Sequence, residues 1–97
     1  MIRNVVLAKL NAGYDAAEVA AIQQGMRDLD CPGLLRMTVG TDAGLRDGNW
    51  DYVIVADFAD VAAYRTYDED PAHNDLRSRL APMVEQIARA QFELPEA

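Results

Sequence analysis

Residues 2–10, Ile2-Arg3-Asn4-Val5-Val6-Leu7-Ala8-Lys9-Leu10, read as a strand with no polar side. Successive side chains on a strand point to opposite faces. One face therefore carries Ile2, Asn4, Val6, Ala8 and Leu10, and the other Arg3, Val5, Leu7 and Lys9. Both are apolar at their centres, so each side of the strand needs a cover. The same holds for the stretch from about Trp50 to Phe58, where Tyr52, Ile54, Ala56 and Phe58 share one face and Val53 and Val55 the other.

Asn11-Ala12-Gly13 breaks the first strand, and Asp15 opens a helix with Glu18 as its capping-box partner. Val19, Ile22, Met26 and Leu29 follow at helical spacing as the buried stripe. Cys31-Pro32-Gly33 ends that helix. Leu34 to Val39 reads as a second strand, and Gly40 to Asn49 as a loop. After the third strand, Asp60 caps a short helix with Val61, Tyr64 and Tyr67. Asp70-Pro71 stops it and starts another helical turn, with Asp70 as N-cap and Pro71 at the first helical position. Leu76, Leu80, Val84 and Ile87 continue an apolar stripe that Pro82 interrupts, which predicts a kink or two helices meeting there. Gln91 to Leu94 reads as a last short strand, and Phe58, Met83 and Phe92 as core.

This order of elements predicts an α+β fold: a βαββαβ ferredoxin-like plait, a four-stranded antiparallel sheet with helices on one face. Val5, Leu7, Val53 and Val55 are then left on the open face, and a second copy of the sheet is the economical cover. A homodimer closing into an α/β barrel is expected. The 97 residues suit a single domain, residues 1–97, with no repeat or linker. A chain of this mass should expose roughly 5,500 Å² when folded.

The formal charge is −7, from 16 acidic and 9 basic residues. That argues against nucleic acid or an anionic membrane as partner, since both need a basic surface. A small apolar or aromatic ligand in a pocket remains compatible with it. No apolar run approaches the length of a membrane span. One His and one Cys cannot supply a usual zinc site, so no metal is expected. The first residues lead straight into the strand pattern with no signal-peptide core, so a cytoplasmic location is expected.

His73, in Tyr67-Asp68-Glu69-Asp70-Pro71-Ala72-His73, falls in the first turn of its helix. A helix N-terminus disfavours the imidazolium and favours a neutral imidazole able to accept a proton, whereas the neighbouring carboxylates push the other way. It is either a base facing a pocket or a surface or capping histidine. Asn4 is the one polar group on its face: it either lines a pocket and orients a ligand or His73, or reaches solvent or backbone. Tyr67 could present its hydroxyl to the same pocket. Trp50 borders the glycine-rich loop, at a site suited to a dimer edge.

Together, Ile2-Arg3-Asn4-Val5-Val6-Leu7, Pro32-Gly33, Val39-Gly40, Asp51-Tyr52 through Asp57-Phe58, Tyr67, Pro71-Ala72-His73 and Phe92-Glu93 resemble the stress-responsive dimeric α/β-barrel (Dabb) family. The resemblance covers almost the whole chain and implies a homodimer with a cavity between sheet and helices. A plant relative, olivetolic acid cyclase, closes a linear polyketide by aldol chemistry without a cofactor, through a tyrosine and a histidine that match Tyr67 and His73. A first-strand histidine common in the family is replaced here by Asn4, and one before the proline by Asp70. The resemblance implies His73 as general base, Tyr67 as hydrogen-bond donor to the developing enolate, and Asn4 as a substrate-binding group. No cofactor is called for, because a proton between two carbonyls is already fairly acidic. The alternatives are a non-catalytic ligand-binding or stress-associated dimer, and a haem-degrading or cofactor-free monooxygenase on the same plait, whose asparagine, tryptophan and histidine Asn4, Trp50 and His73 resemble.

Overall fold

A computed structural model describes residues 1–95. The chain runs β1 (Ile2–Leu10), α1 (Ala16–Arg27), β2 (Leu34–Thr41), β3 (Tyr52–Phe58), α2 (Val61–Glu69), α3 (Pro71–Leu80), a 3-10 turn (Ala81–Met83) and β4 (Val84–Glu93). The four strands form one antiparallel sheet in the order β2-β3-β1-β4, with the helices on one face. This is the ferredoxin-like plait.

The helix starts follow from their caps. The Asp15 carboxylate accepts from the backbone N–H groups of Ala17 and Glu18, that of Asp60 from Ala63, and that of Asp70 from His73. Each satisfies a donor that the first turn of a helix leaves orphaned. Val19, Ile22 and Met26 of α1 are buried as their spacing predicts. They meet Val6, Ala8 and Leu10 of β1 and Tyr52, Ile54, Ala56 and Phe58 of β3, which make the covered face of the sheet. The α1–β2 connection turns at Gly33, whose φ of 81° lies in the left-handed region. A Cβ there would also sit 2.4 Å from that of Ala63 on α2, so both the turn and the close approach of α2 call for glycine.

The main departure from expectation lies at the C-terminal end. The apolar stripe through Val84 and Ile87 is not helical: α3 stops at Leu80, and β4 is ten residues long rather than a short strand from Gln91. Pro82 cannot continue the helix, and β1 has an open edge whose backbone groups need partners. Nine residues of β4 supply them, from Glu93 opposite Ile2 to Val84 opposite Leu10, with Glu85 as the extra residue. A bulge falls at Lys9/Leu10, where the Asp51 carboxylate accepts the Leu10 N–H at 2.8 Å. β4 runs along the sheet edge, and Phe92, expected in the core, is 48% exposed.

The opposite face carries no helix. Val5 pairs with Val55 and Leu7 with Val53 across β1 and β3, and Leu7 is 43% exposed. Beside them Arg3 and Asp57 form a two-pronged ion pair at 2.7 and 3.0 Å. The chain exposes 6100 Å², above the roughly 5,500 Å² expected of a monomer of its mass.

Candidate functional site

The turn between α2 and α3 builds the centre of the site. Asp70 is extended, with φ −62° and ψ 128°, as a residue before proline prefers. It ends one helix and caps the next, which brings the last turn of α2 against the first turn of α3. Tyr67 and His73 consequently stack, with ring centroids 3.9 Å apart and planes inclined by 23°. The Tyr67 carbonyl, which accepts the Asp70 N–H at the end of α2, also lies 2.9 Å from His73 Nδ1. A carbonyl oxygen can only accept, so Nδ1 carries the hydrogen, and in the neutral ring Nε2 then keeps its lone pair.

His73 and Tyr67 are 5% and 2% exposed. Burial, reinforced by the Arg77 guanidinium one turn along α3, pushes His73 below the usual histidine range. The bond to the Tyr67 carbonyl and the charges of Asp68 and Asp70 oppose this without reversing it. The imidazole is therefore neutral at pH 7, a form that can accept a proton. Burial pushes the Tyr67 hydroxyl up, so it stays protonated and able to donate.

Asn4 is buried on the covered face of β1, directly across from Gln91 of β4. Its Oδ1 accepts from Gln91 Nε2 at 2.8 Å. Its own NH₂ makes no hydrogen bond among the described residues, and neither does any Asn4 atom with His73. The sequence offered Asn4 as holder of a ligand or of the imidazole; the amide is free for the first and not engaged in the second.

Asn4, Tyr67 and His73 line a single cavity of about 60 Å³ between the sheet and the helices. Its walls are mainly apolar, including Ile22, Met26, Ile54 and Leu76. Its exposed lining residues, Arg77, Ile87 and Arg89, mark where it opens between α3 and β4. Trp50 lies elsewhere: it borders a depression on the open face with Leu7, Val53 and Ala88. The sequence combination of Asn4, Trp50 and His73 is thus not assembled around the cavity.

Tyr52 lines the cavity too, and sequence reasoning missed its buried hydroxyl. It opens β3 opposite Ala8, is 2% exposed, and its hydroxyl has no partner among the described residues. Burial pushes this phenol up to about 12. Leaving such a group unpaired costs about 1–3 kcal/mol. The available signal was a tyrosine in an otherwise apolar row, Ile54, Ala56 and Phe58, whose hydroxyl end needs somewhere to go. No cluster of three or more His, Cys, Asp or Glu side chains suited to a metal occurs among the described residues. No helix there is long and apolar enough to cross a membrane.

A plait with one helix-covered face, a cavity beneath the helices and an apolar opposite face defines the class of small ferredoxin-like α+β proteins. Within it, the chain belongs to the stress-responsive A/B barrel domain family, Dabb, whose sequence profile matches residues 2–94. Among solved structures it is similar to a dimeric ferredoxin-like protein of unknown function from Thermobifida fusca. That pair shares 28% identity and a TM-score of 0.86 over 96% of this chain and 90% of the other. A Dabb family protein from Mesorhizobium loti matches at 21% identity and TM-score 0.73, over 99% of this chain and 97% of that one. The hydroxynitrile lyase of Passiflora edulis matches at 18% identity and TM-score 0.82, over 99% and 94% of the two chains. No curated protein sequence matches the chain.

Proposed function

We propose that the protein is a homodimer, joined through its open sheet faces, whose cavity binds a small carbonyl compound and moves a proton on it without a cofactor. The observation that carries this reading is the 2.9 Å contact of His73 Nδ1 with the Tyr67 carbonyl, which leaves Nε2 of this cavity-lining residue without a partner among the described residues. The apolar pairs Val5–Val55 and Leu7–Val53, the high exposed area and the dimeric Thermobifida relative support the assembly. The Passiflora relative, a lyase, supports chemistry on a small molecule. The cavity volume would hold a handful of waters, which favours a short carbonyl compound over a long polyketide.

In the proposed reaction His73 Nε2 takes a proton from the carbon beside a carbonyl. The C–H electron pair moves into the new C=C bond, and the carbonyl π pair moves onto oxygen, where the Tyr67 hydroxyl donates to the enolate. The enolate carbon then either regains a proton from Nε2 or attacks a second carbonyl, with the Nε2 proton passing to the resulting alkoxide. Asn4 contributes its free NH₂ to the substrate. A non-catalytic binding module is the second reading, favoured by the tie of Asn4 to Gln91 rather than to the imidazole.

Deuterium uptake at the acidic carbon of acetoacetate in D₂O, followed by proton NMR, separates the two. The wild type should accelerate uptake over buffer. His73→Ala should lose about a hundredfold or more, and Tyr67→Phe a comparable factor with the fold unchanged by circular dichroism. Uptake at the buffer rate with acetoacetate demonstrably bound would leave the binding module.

A further inference from the structure

Asn4 and Tyr52 each carry a buried polar atom without a partner, but only one of the two faces open space. The Tyr52 hydroxyl is sealed, and among the described residues it is the one unbonded side-chain nitrogen or oxygen that is. Asn4 Nδ2 is unbonded and not sealed, on a residue 3% exposed that lines the cavity. It is a donor turned into the cavity. What turns it there lies outside. An Asn amide keeps nearly the same shape after a half-turn that exchanges its oxygen for its NH₂. The neighbours of Asn4 on its face of the sheet are Ile2 and Val6 along β1, Ala56 opposite on β3 and Gln91 opposite on β4. Gln91 alone of these can hydrogen-bond through its side chain, and its Nε2 donates to Asn4 Oδ1 at 2.8 Å. Gln91 is itself exposed, and it borders the outer groove between α2 and β4, with Tyr64, Arg65 and Phe92, rather than the cavity.

We propose that Gln91 is a positioning residue: by holding Asn4 Oδ1 toward β4 it fixes the NH₂ as the group the cavity presents, and so selects ligands that offer an oxygen acceptor to the β1 wall. The assignment rests on the reading of this cavity as a site for a small carbonyl compound, and it adds the residue, outside the cavity, that sets the polarity of that wall. With Gln91 as donor, a ketone oxygen meets an N–H. With the amide reversed, the same oxygen meets Oδ1, two acceptors with no hydrogen between them.

Calorimetric titration with acetylacetone, a neutral diketone on which a charge placed at position 91 exerts little direct force, tests it. Gln91→Lys keeps a donor for Asn4 Oδ1 and should bind as wild type does. Gln91→Glu offers Asn4 only acceptors, so the amide reverses and affinity should fall about tenfold, the worth of one neutral hydrogen bond. Asn4→Ala should lose a similar factor, and adding Gln91→Glu to it should cost nothing further, since no amide remains to turn. Circular dichroism should be unchanged in both Gln91 variants, position 91 being exposed. Gln91→Leu, which removes the donor and adds no acceptor, should fall between the two and keeps the test open if the glutamate variant folds poorly. Equal affinity in all three Gln91 variants, tighter binding by Gln91→Glu, or an undiminished effect of Gln91→Glu in the Asn4→Ala background overturns the assignment and leaves the carbonyl-compound reading in place. No binding of acetylacetone by the wild type overturns both. The expected pattern without His73-dependent deuterium uptake would keep the assignment and remove the catalytic reading.

Discussion

The two faces of the sheet are built from the same strands in alternation, yet they are put to opposite uses. On the covered face, β1 and β3 present Asn4, Val6, Ala8, Tyr52 and Ile54 to the helices, and the polar members line a cavity. On the open face the same strands present Val5, Leu7, Val53 and Val55, with the Arg3–Asp57 ion pair beside them. The difference is in how polar groups are handled. The open face pairs its charges internally and offers apolar area; the covered face keeps hydrogen-bonding capacity unspent inside a dry wall. The first arrangement fits a flat partner of like chemistry, and the second a small polar guest.

The comparison breaks most sharply under a charge inserted one residue apart on β1. Val6→Glu, on the covered face, buries an unpaired carboxylate in the core and should abolish folding, seen as loss of the circular dichroism signal at pH 7. Leu7→Glu, on the open face, should leave a folded chain but weaken self-association by about thirtyfold or more in sedimentation equilibrium, since a buried interface anchor costs about 2 kcal/mol or more. A Leu7→Glu protein that remains dimeric at micromolar concentration would remove the open face as the seam.

Acid should separate the faces next, because each holds one group shifted downward by its surroundings. His73 lies below the histidine value of 6.5 in the folded chain, so the unfolded chain binds the proton first. Its contribution is fully present above about pH 6.5 and is lost as the pH falls from there through the folded value. Asp57 is held below the carboxylate value of 3.8, chiefly by the hydrogen bonds from Arg3. Its contribution persists down to about that pH and is lost as the pH falls through its lower folded value. Urea midpoints measured across pH should therefore fall in two windows. His73→Gln should flatten the upper one and Asp57→Asn the lower. A single fall below pH 4 in the wild type would mean that His73 does not titrate as its burial requires.

How much of this was legible depends on how local the cause is. The caps at Asp15, Asp60 and Asp70 act within three residues of their partners, and the pattern at those positions predicts the helix starts directly. The two apolar faces of β1 and β3 are also local, a matter of alternation. The α2–α3 turn brings Tyr67 and His73 together across six residues, so their meeting could be read from Asp70-Pro71 and from the family resemblance. β4 could not be read the same way. Its apolar residues, Val84, Ile87, Ala88, Ala90 and Phe92, follow neither period cleanly, and what makes it a strand is the unpaired edge of β1 some eighty residues earlier. The Tyr52 hydroxyl failed for the same reason. Its alternation places the ring on the covered face correctly, but the lack of any acceptor there depends on four other elements packing around it.

The smallest expected effect concerns Asn4. Replacing it by His exchanges an amide bonded to Gln91 for a second imidazole in the cavity. The lost Asn4–Gln91 bond should cost about 1 kcal/mol of stability, read as a small drop in the urea midpoint. If the cavity is a proton-transfer site short of one donor, deuterium uptake by acetoacetate should rise a few-fold in Asn4→His, and that rise should vanish when His73→Ala is added. If wild type and Asn4→His are equally inert while binding acetoacetate equally well, the unspent hydrogen-bonding capacity of the covered face serves recognition alone. The contrast between the two faces would then be one between two kinds of binding surface, with no chemistry on either.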